Sequence, residues 1–134
     1  PSLTEFTFAV SDTILAKQVS LMSEISNHKD ICYTSSRGVS ETNVIVSDSV
    51  SHLVYKHFAE EKLLNRFDNL ASITVRLPKE NVTTPGIYYF IFQRLSWEGI
   101  TINEVISTSF EFTILVDDEV VDVAFKVIKD LKNL

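Results

Sequence analysis

Phe6, Phe8 and Val10 alternate with Glu5, Thr7 and Ala9, the period of a strand with one buried face. Ser11 and Asp12 follow and offer oxygens to cap a helix. Ile14, Leu15, Val19, Met22 and Ile25 recur at helical spacing, up to the polar run Asn27-His28-Lys29-Asp30. Strands are predicted at Ile31–Ser35 and Thr42–Ser47, with a turn near Arg37-Gly38. Asp48 and Ser49 head a second helix, in which Val50, Leu53, Val54, His57 and Phe58 form one stripe. The segment Glu60–Asn69 is charged and polar, with Leu63, Leu64 and Phe67 as apolar anchors.

The second half repeats the order. Ile73, Val75 and Leu77 alternate with Thr74 and Arg76, and Pro78 stops the strand because it cannot donate to a ladder. After the polar loop Lys79–Thr84, Thr84-Pro85 reads as a helix start, a capping hydroxyl followed by Pro at the first helical position. Ile87, Tyr88, Ile91, Phe92 and Leu95 point inward, and Gly99 supplies the stop. Ile100 and Ile102 open a strand whose alternation slips at Asn103-Glu104-Val105, a predicted bulge. Phe110, Phe112, Ile114 and Val116 form another strand. Asp117-Asp118 then head a helix with Val120, Ala124, Val127, Ile128 and Leu131 on one face.

Both halves read β-α-β-β-α. An offset of 70 places Val44 on Ile114, Val46 on Val116, Asp48 on Asp118, Val50 on Val120 and Tyr55 on Phe125. The class is therefore α+β: two similar layers, each an antiparallel sheet with its helices on one face.

The second half resembles an ACT domain, the small amino-acid-sensing module, and is most similar to the regulatory ACT domains of aspartokinases. The residues that carry the resemblance are Thr84-Pro85-Gly86-Ile87 and Trp97-Glu98-Gly99-Ile100-Thr101-Ile102-Asn103. Ile106-Ser107-Thr108-Ser109, Glu111-Phe112-Thr113-Ile114-Leu115-Val116 and the tail from Asp117-Asp118 to Ala124-Phe125 extend it. The first half resembles the family through its order of elements and the 70-residue register. Its loop Ser11-Asp12-Thr13 is shorter and lacks the Pro-Gly pair. The resemblance implies tandem ferredoxin-like βαββα(β) units at 1–67 and 68–134. The family's fourth strand has no clear counterpart in either half. It is either short and irregular, with Leu63–Phe67 a candidate, or absent. If it is absent, the strands at Phe6–Val10 and Ile73–Leu77 become sheet edges open to pairing, which points to a tandem pair that also forms a homodimer.

The resemblance also implies a ligand-binding set at the loop–helix junction and the start of the second strand. It comprises Asn81, Val82, Thr83, Thr84, Gly86 and Ile87 on one side and Thr101, Ile102 and Asn103 on the other. The chemistry is compatible. Free N–H groups at a helix start suit a carboxylate, Gly86 permits close backbone approach, and the Asn103 side-chain carbonyl can accept from an ammonium. In the plainer reading Thr84 and Gly86 are a cap and a turn, and Asn103 a bulge residue.

Composition narrows the alternatives. The chain has 134 residues, 45% hydrophobic and 22% charged, with only three Gly and three Pro, as in a folded globular protein. A net charge of −6 disfavours nucleic acid or anionic membrane as the main partner. No run approaches the length of a spanning helix and no signal peptide is visible, so a cytoplasmic setting is expected. The start at Pro1 reads as an excised or processed chain. Cys32 is the single cysteine, so no intrachain disulfide forms, and it reads as a structural strand residue. His52 and His57 are five apart and share no face as a metal pair. Glu60-Glu61 and Asp117-Asp118-Glu119 read as solvated or helix-heading acids rather than a catalytic pair. The aromatics Tyr88, Tyr89, Phe90, Phe92 and Trp97 exceed what one helix can bury, which favours an interface. No phosphate loop or dinucleotide fingerprint is present.

The expected function is thus a regulatory amino-acid-sensing pair without a catalytic domain, cofactor or metal. The resemblance implies an effector of the aspartate family, with the output in an attached or partner domain. The alternative is a dimerisation module that binds nothing small.

Overall fold

Alternation at the start of the chain buries Phe6 and Phe8 on one face of strand β1 (Leu3–Ala9). The computed structural model describes residues 2–76, 87–108 and 111–132. The chain divides into two units, Pro1–Asn69 and Leu70–Leu134.

In the first unit β1 is followed by α1 (Ile14–Ile25), β2 (Tyr33–Arg37), β3 (Glu41–Ser47), a 3-10 turn at Asp48–Val50, α2 (Ser51–His57) and the first part of β4 (Leu63–Arg76). The strand order is β2-β3-β1-β4. β3 is antiparallel to both neighbours, with Leu3 opposite Ser47 and Tyr33 opposite Val46. The Ala9 N–H donates to Lys62 O at 3.0 Å, and the Thr4 hydroxyl lies 3.5 Å from Asp68 Oδ1. β1 and β4 therefore also run in opposite directions. A fourth strand does follow the second helix, and it covers the candidate Leu63–Phe67. β1 is accordingly an interior strand, not an edge.

The core of this unit gathers Phe6, Phe8, Ile14, Leu21, Ile25, Val44, Val46, Val50, Leu53, Val54 and Phe58. Phe8 and Phe58 meet edge to face, ring centroids 5.0 Å apart. The α2 stripe falls where its spacing predicts. The α1 stripe does not. Ile14, Gln18, Leu21 and Ile25 are buried, while Leu15, Val19 and Met22 are exposed. Both sets have helical spacing, and Gln18 disguises the inward one. Its amide is satisfied by a 2.8 Å bond to Ser35 Oγ, which makes the buried polar group tolerable. Leu63, Leu64 and Phe67 are likewise exposed strand residues rather than anchors.

The second unit takes the rest of β4, then α3 (Ile87–Trp97), β5 (Glu104–Ser107), β6 (Glu111–Asp117), a 3-10 turn at Asp118–Val120 and α4 (Val121–Lys132). Its strands run β4-β6-β5, with Ile73 opposite Ile114 and Val105 opposite Ile114 from the other side. Among the described residues this unit has three strands. Its core contains Ile73, Val75, Ile91, Leu95, Ile100, Phe112, Ile114, Val116, Ala124 and Ile128, with Phe92, Val120 and Val127 packed against it. Leu77, Phe110 and the loop 79–84 lie outside the described residues, as do the side chains of Ile87, Tyr88 and Leu131.

The repeat is present in the backbone. β3 and β6, and the 3-10 turns after them, begin 70 residues apart, at Glu41 and Glu111 and at Asp48 and Asp118. The N-caps of these turns, Ser47 and Asp117, make no side-chain cap bond. Asp48 accepts the Thr4 hydroxyl at 3.0 Å. At α1 the N-cap is Thr13, again without a side-chain cap bond, in place of the predicted Ser11 and Asp12.

Two local features follow the sequence closely. The Asn103 N–H donates to Leu115 O at 2.8 Å, yet the register partner of Leu115 is Glu104. Two residues therefore share one partner, as in a bulge. After α3, Gly99 has φ 73°. The Gly99 N–H donates to Ser96 O and the Ile100 N–H to Leu95 O, each at 3.0 Å, while Leu95 and Ile100 are both buried. This is the Schellman stop with its hydrophobic contact.

Gly99→Ala is expected to destabilise the protein by about 1–2 kcal/mol through the left-handed backbone alone, because a Cβ there meets no atom within 4 Å. Gly38→Ala should be close to neutral, since a Cβ at Gly38 lies 3.5 Å from Glu41 O, an ordinary contact. Urea unfolding of the two variants checks the difference, and equal midpoints would remove the backbone explanation.

Candidate functional site

Four residues take the chain from β1 into α1, and they bring two hydroxyls to the head of the helix. A carboxylate from far along the chain meets them. Glu61, in the connection between α2 and β4, accepts from Ser11 Oγ at Oε1. At Oε2 it accepts from Thr13 Oγ1 (2.7 Å) and Lys17 Nζ (2.6 Å). Ser11 Oγ also accepts from the Thr13 N–H at 3.3 Å, which orients the hydroxyl. The Glu61 side chain is only 3% exposed, and that of Lys17 22%. Glu60, beside it, is exposed and lies 3.7 Å from Lys17. The Lys17 hydrogen bond, and next that of Ser11, hold the Glu61 carboxyl down to about 2 against burial, which acts in the opposite direction. The same bond raises Lys17.

Sequence reading missed this cluster. It placed Glu60-Glu61 among solvated acids, because nothing local marks an acid whose partners lie 44 to 50 positions away.

In the second unit the segment that follows Arg76 in sequence and precedes Ile87 lies outside the described residues. Of the set implied by resemblance, Asn81, Val82, Thr83, Thr84 and Gly86 lie outside the described residues, and so does the Ile87 side chain. Thr101, Ile102 and Asn103 are described and lead into β5. Ile102 packs against the second core. Its alternating neighbours Thr101 and Asn103 are exposed and half-buried. The backbone N–H of Asn103 donates to Leu115 O and is thereby committed to the ladder.

The remaining reactive residues have structural surroundings. Cys32 is half-buried just ahead of β2, not within it, and its backbone exchanges bonds with Ser47. His57 and Lys56 both reach Glu24 Oε1, at 3.1 and 2.8 Å, and so tie α2 to α1. Arg66 lies over the rings of Phe6 and Tyr55, 5.2 and 5.1 Å from their centroids, and donates to Asp68 at 2.8 Å. Among the described residues no group of three or more His, Cys, Asp or Glu is placed to hold a metal, and no helix is long and apolar enough to cross a membrane.

No family model matches the chain, and no curated protein matches it in sequence. Solved structures do. Aspartate kinase from Clostridium acetobutylicum is similar over 96% of this chain at 15% identity and a TM-score of 0.78. The chain spans 32% of that enzyme's length. The aspartokinase alpha and beta subunit structure matches 98% of this chain and 89% of its own, at 14% identity and a TM-score of 0.75. The ligand-free regulatory subunit of aspartate kinase from Thermus thermophilus matches over 96% and 90%, at 14% identity and a TM-score of 0.72. The fold is thus the one that the resemblance to aspartokinase regulatory ACT domains implies.

Acid titration tests the Glu61 cluster. The folded carboxyl ionises near 2, below its ordinary 4.5, so its contribution is complete above 4.5 and disappears as pH falls through 2. Across that window the melting temperature of the parent chain should fall more steeply than that of Glu61→Gln. Parallel profiles would return Glu61 to an ordinary solvated acid.

Proposed function

We propose that this chain is a regulatory pair of ACT-type units, at 1–67 and 68–134, that binds an amino acid and passes the event to an attached or partner domain. The observation that carries the reading is the extent of the likeness. Nearly the whole chain corresponds to nearly the whole of a protein named as a regulatory subunit, with 96% and 90% covered. The likeness to the Clostridium protein, named an allosteric enzyme, involves only 32% of that enzyme. The kinase activity is therefore not carried over, and the chain acts without catalysis of its own.

The amino acid is placed at the β4–α3 connection of the second unit, between Asn81, Val82, Thr83, Thr84, Gly86 and Ile87 and the strand entry Thr101, Ile102 and Asn103. Support comes from the described residues of that set, Thr101, Ile102 and Asn103. Thr101 is exposed, and Asn103 is half-buried with its backbone N–H paired to Leu115 O. Ile102 contributes from the core side. An effector of the aspartate family, a homodimer and a cytoplasmic setting complete the proposal. A coupling free energy of about 1–3 kcal/mol between effector and output suffices for control.

A second reading has its own observation. α1 exposes Leu15, Val19 and Met22, and α3 exposes Tyr89, Phe90 and Trp97. Such surfaces suit a module that only associates.

A thermal-shift screen against the twenty amino acids separates the readings. An effector at a hundred times its Kd should stabilise the folded chain by roughly 2.7 kcal/mol. Gly86→Val, which fills the backbone approach, should abolish the shift, and Asn103→Ala should weaken it while leaving the β5–β6 ladder intact. A flat screen on a folded dimer would favour association alone. A shift unchanged in both variants would move the ligand away from this connection.

A further inference from the structure

The β1–α1 junction of the first unit is already filled by a carboxylate from its own chain. Two hydroxyls and an ammonium converge on the two oxygens of Glu61. No backbone group is needed for the grip. Donors from Ser11, Thr13 and Lys17 recognise the carboxylate as such, and charge assistance makes the Lys17 bond the strong one. Thr13 and Asp12 are exposed around the cluster, and the Glu61 side chain itself is what closes it.

We propose that Ser11, Thr13 and Lys17 form a carboxylate cradle and that Glu61 is its built-in occupant, closing the first unit's junction to free carboxylate ligands. A tethered carboxylate competes at an effective concentration of about millimolar or more, so a free acid at lower concentration loses to it. This assignment concerns the first unit alone and stands apart from any ligand of the second.

The test uses acetate as the probe, at pH 7 and matched ionic strength against chloride, with melting temperature as the readout. Glu61→Ala empties the cradle. Its melting temperature should rise by roughly 4 °C in acetate at ten times the apparent Kd, relative to chloride. The parent chain, with its cradle filled, should show no difference between the two salts. Glu61→Gln keeps the volume filled and should also be indifferent. The double variant Glu61→Ala/Lys17→Met removes the charged donor and should lose the acetate response.

If Glu61→Ala unfolds in chloride, recovery of the fold in acetate supports the proposal. Three results overturn it. One is a Glu61→Ala protein with no acetate-specific gain. Another is the same variant remaining unfolded in acetate. The last is a parent chain that gains as much from acetate as the variant does.

Discussion

One strand runs through both units. β4 runs from Leu63 to Arg76, and the boundary between the units falls inside it, after Asn69, rather than in a loop. Its first part completes the order β2-β3-β1-β4, and its second part opens the order β4-β6-β5. The side chains change character at the same place. From Leu63 to Asn69 they are exposed or half-buried, whereas Leu70, Ala71, Ile73 and Val75 are buried. Asn69 has φ 56°, a left-handed backbone in the middle of a strand. Asn tolerates that conformation better than other residues with a side chain. The departure lets one strand end one pairing pattern and begin another.

From this arrangement follows the contrast between likeness and difference in the two halves. The shared part is scaffold: β3 and β6, the 3-10 turns after them, and cores built from the same face of each sheet. What differs in sequence is the segment between first strand and first helix. In the first unit it is four residues long and engaged by Glu61. In the second, the sequence at the corresponding place includes Thr83, Thr84 and the Pro85-Gly86 pair. A duplicated frame with junctions of different sequence is suited to giving its two halves different tasks.

Much of the frame was legible. Val44, Val46, Ile114 and Val116 lie inward as their alternation requires, and Gly99 stops α3 because the left-handed position admits little else. The slip at Asn103 was visible as broken alternation. The first part of β4 was hidden because Leu63 and Leu64 are adjacent and Arg66 and Asp68 are charged. That pattern has neither a strand nor a helix period. It is stabilised by partners instead: Arg66 lies on Phe6 and Tyr55, far away in sequence. The inward face of α1 was misread for a similar reason, since Gln18 is tolerable only beside Ser35. Of the site, Thr101 and Asn103 could be placed by alternation, but the grip on Glu61 could not. It depends on a return of the chain that no local pattern announces.

The shared strand also has a bearing on how the protein is made. A ribosome releases the chain from its first residue, and domains tend to fold as they emerge. By Asn69 every strand and helix of the first unit has left, including the fourth strand that flanks β1. That half can close while the second is still being translated. Its last strand, β4, is the one whose later residues, Leu70 onward, go on to pair with β6. Synthesis from one end thus gives the first unit the earlier opportunity to fold.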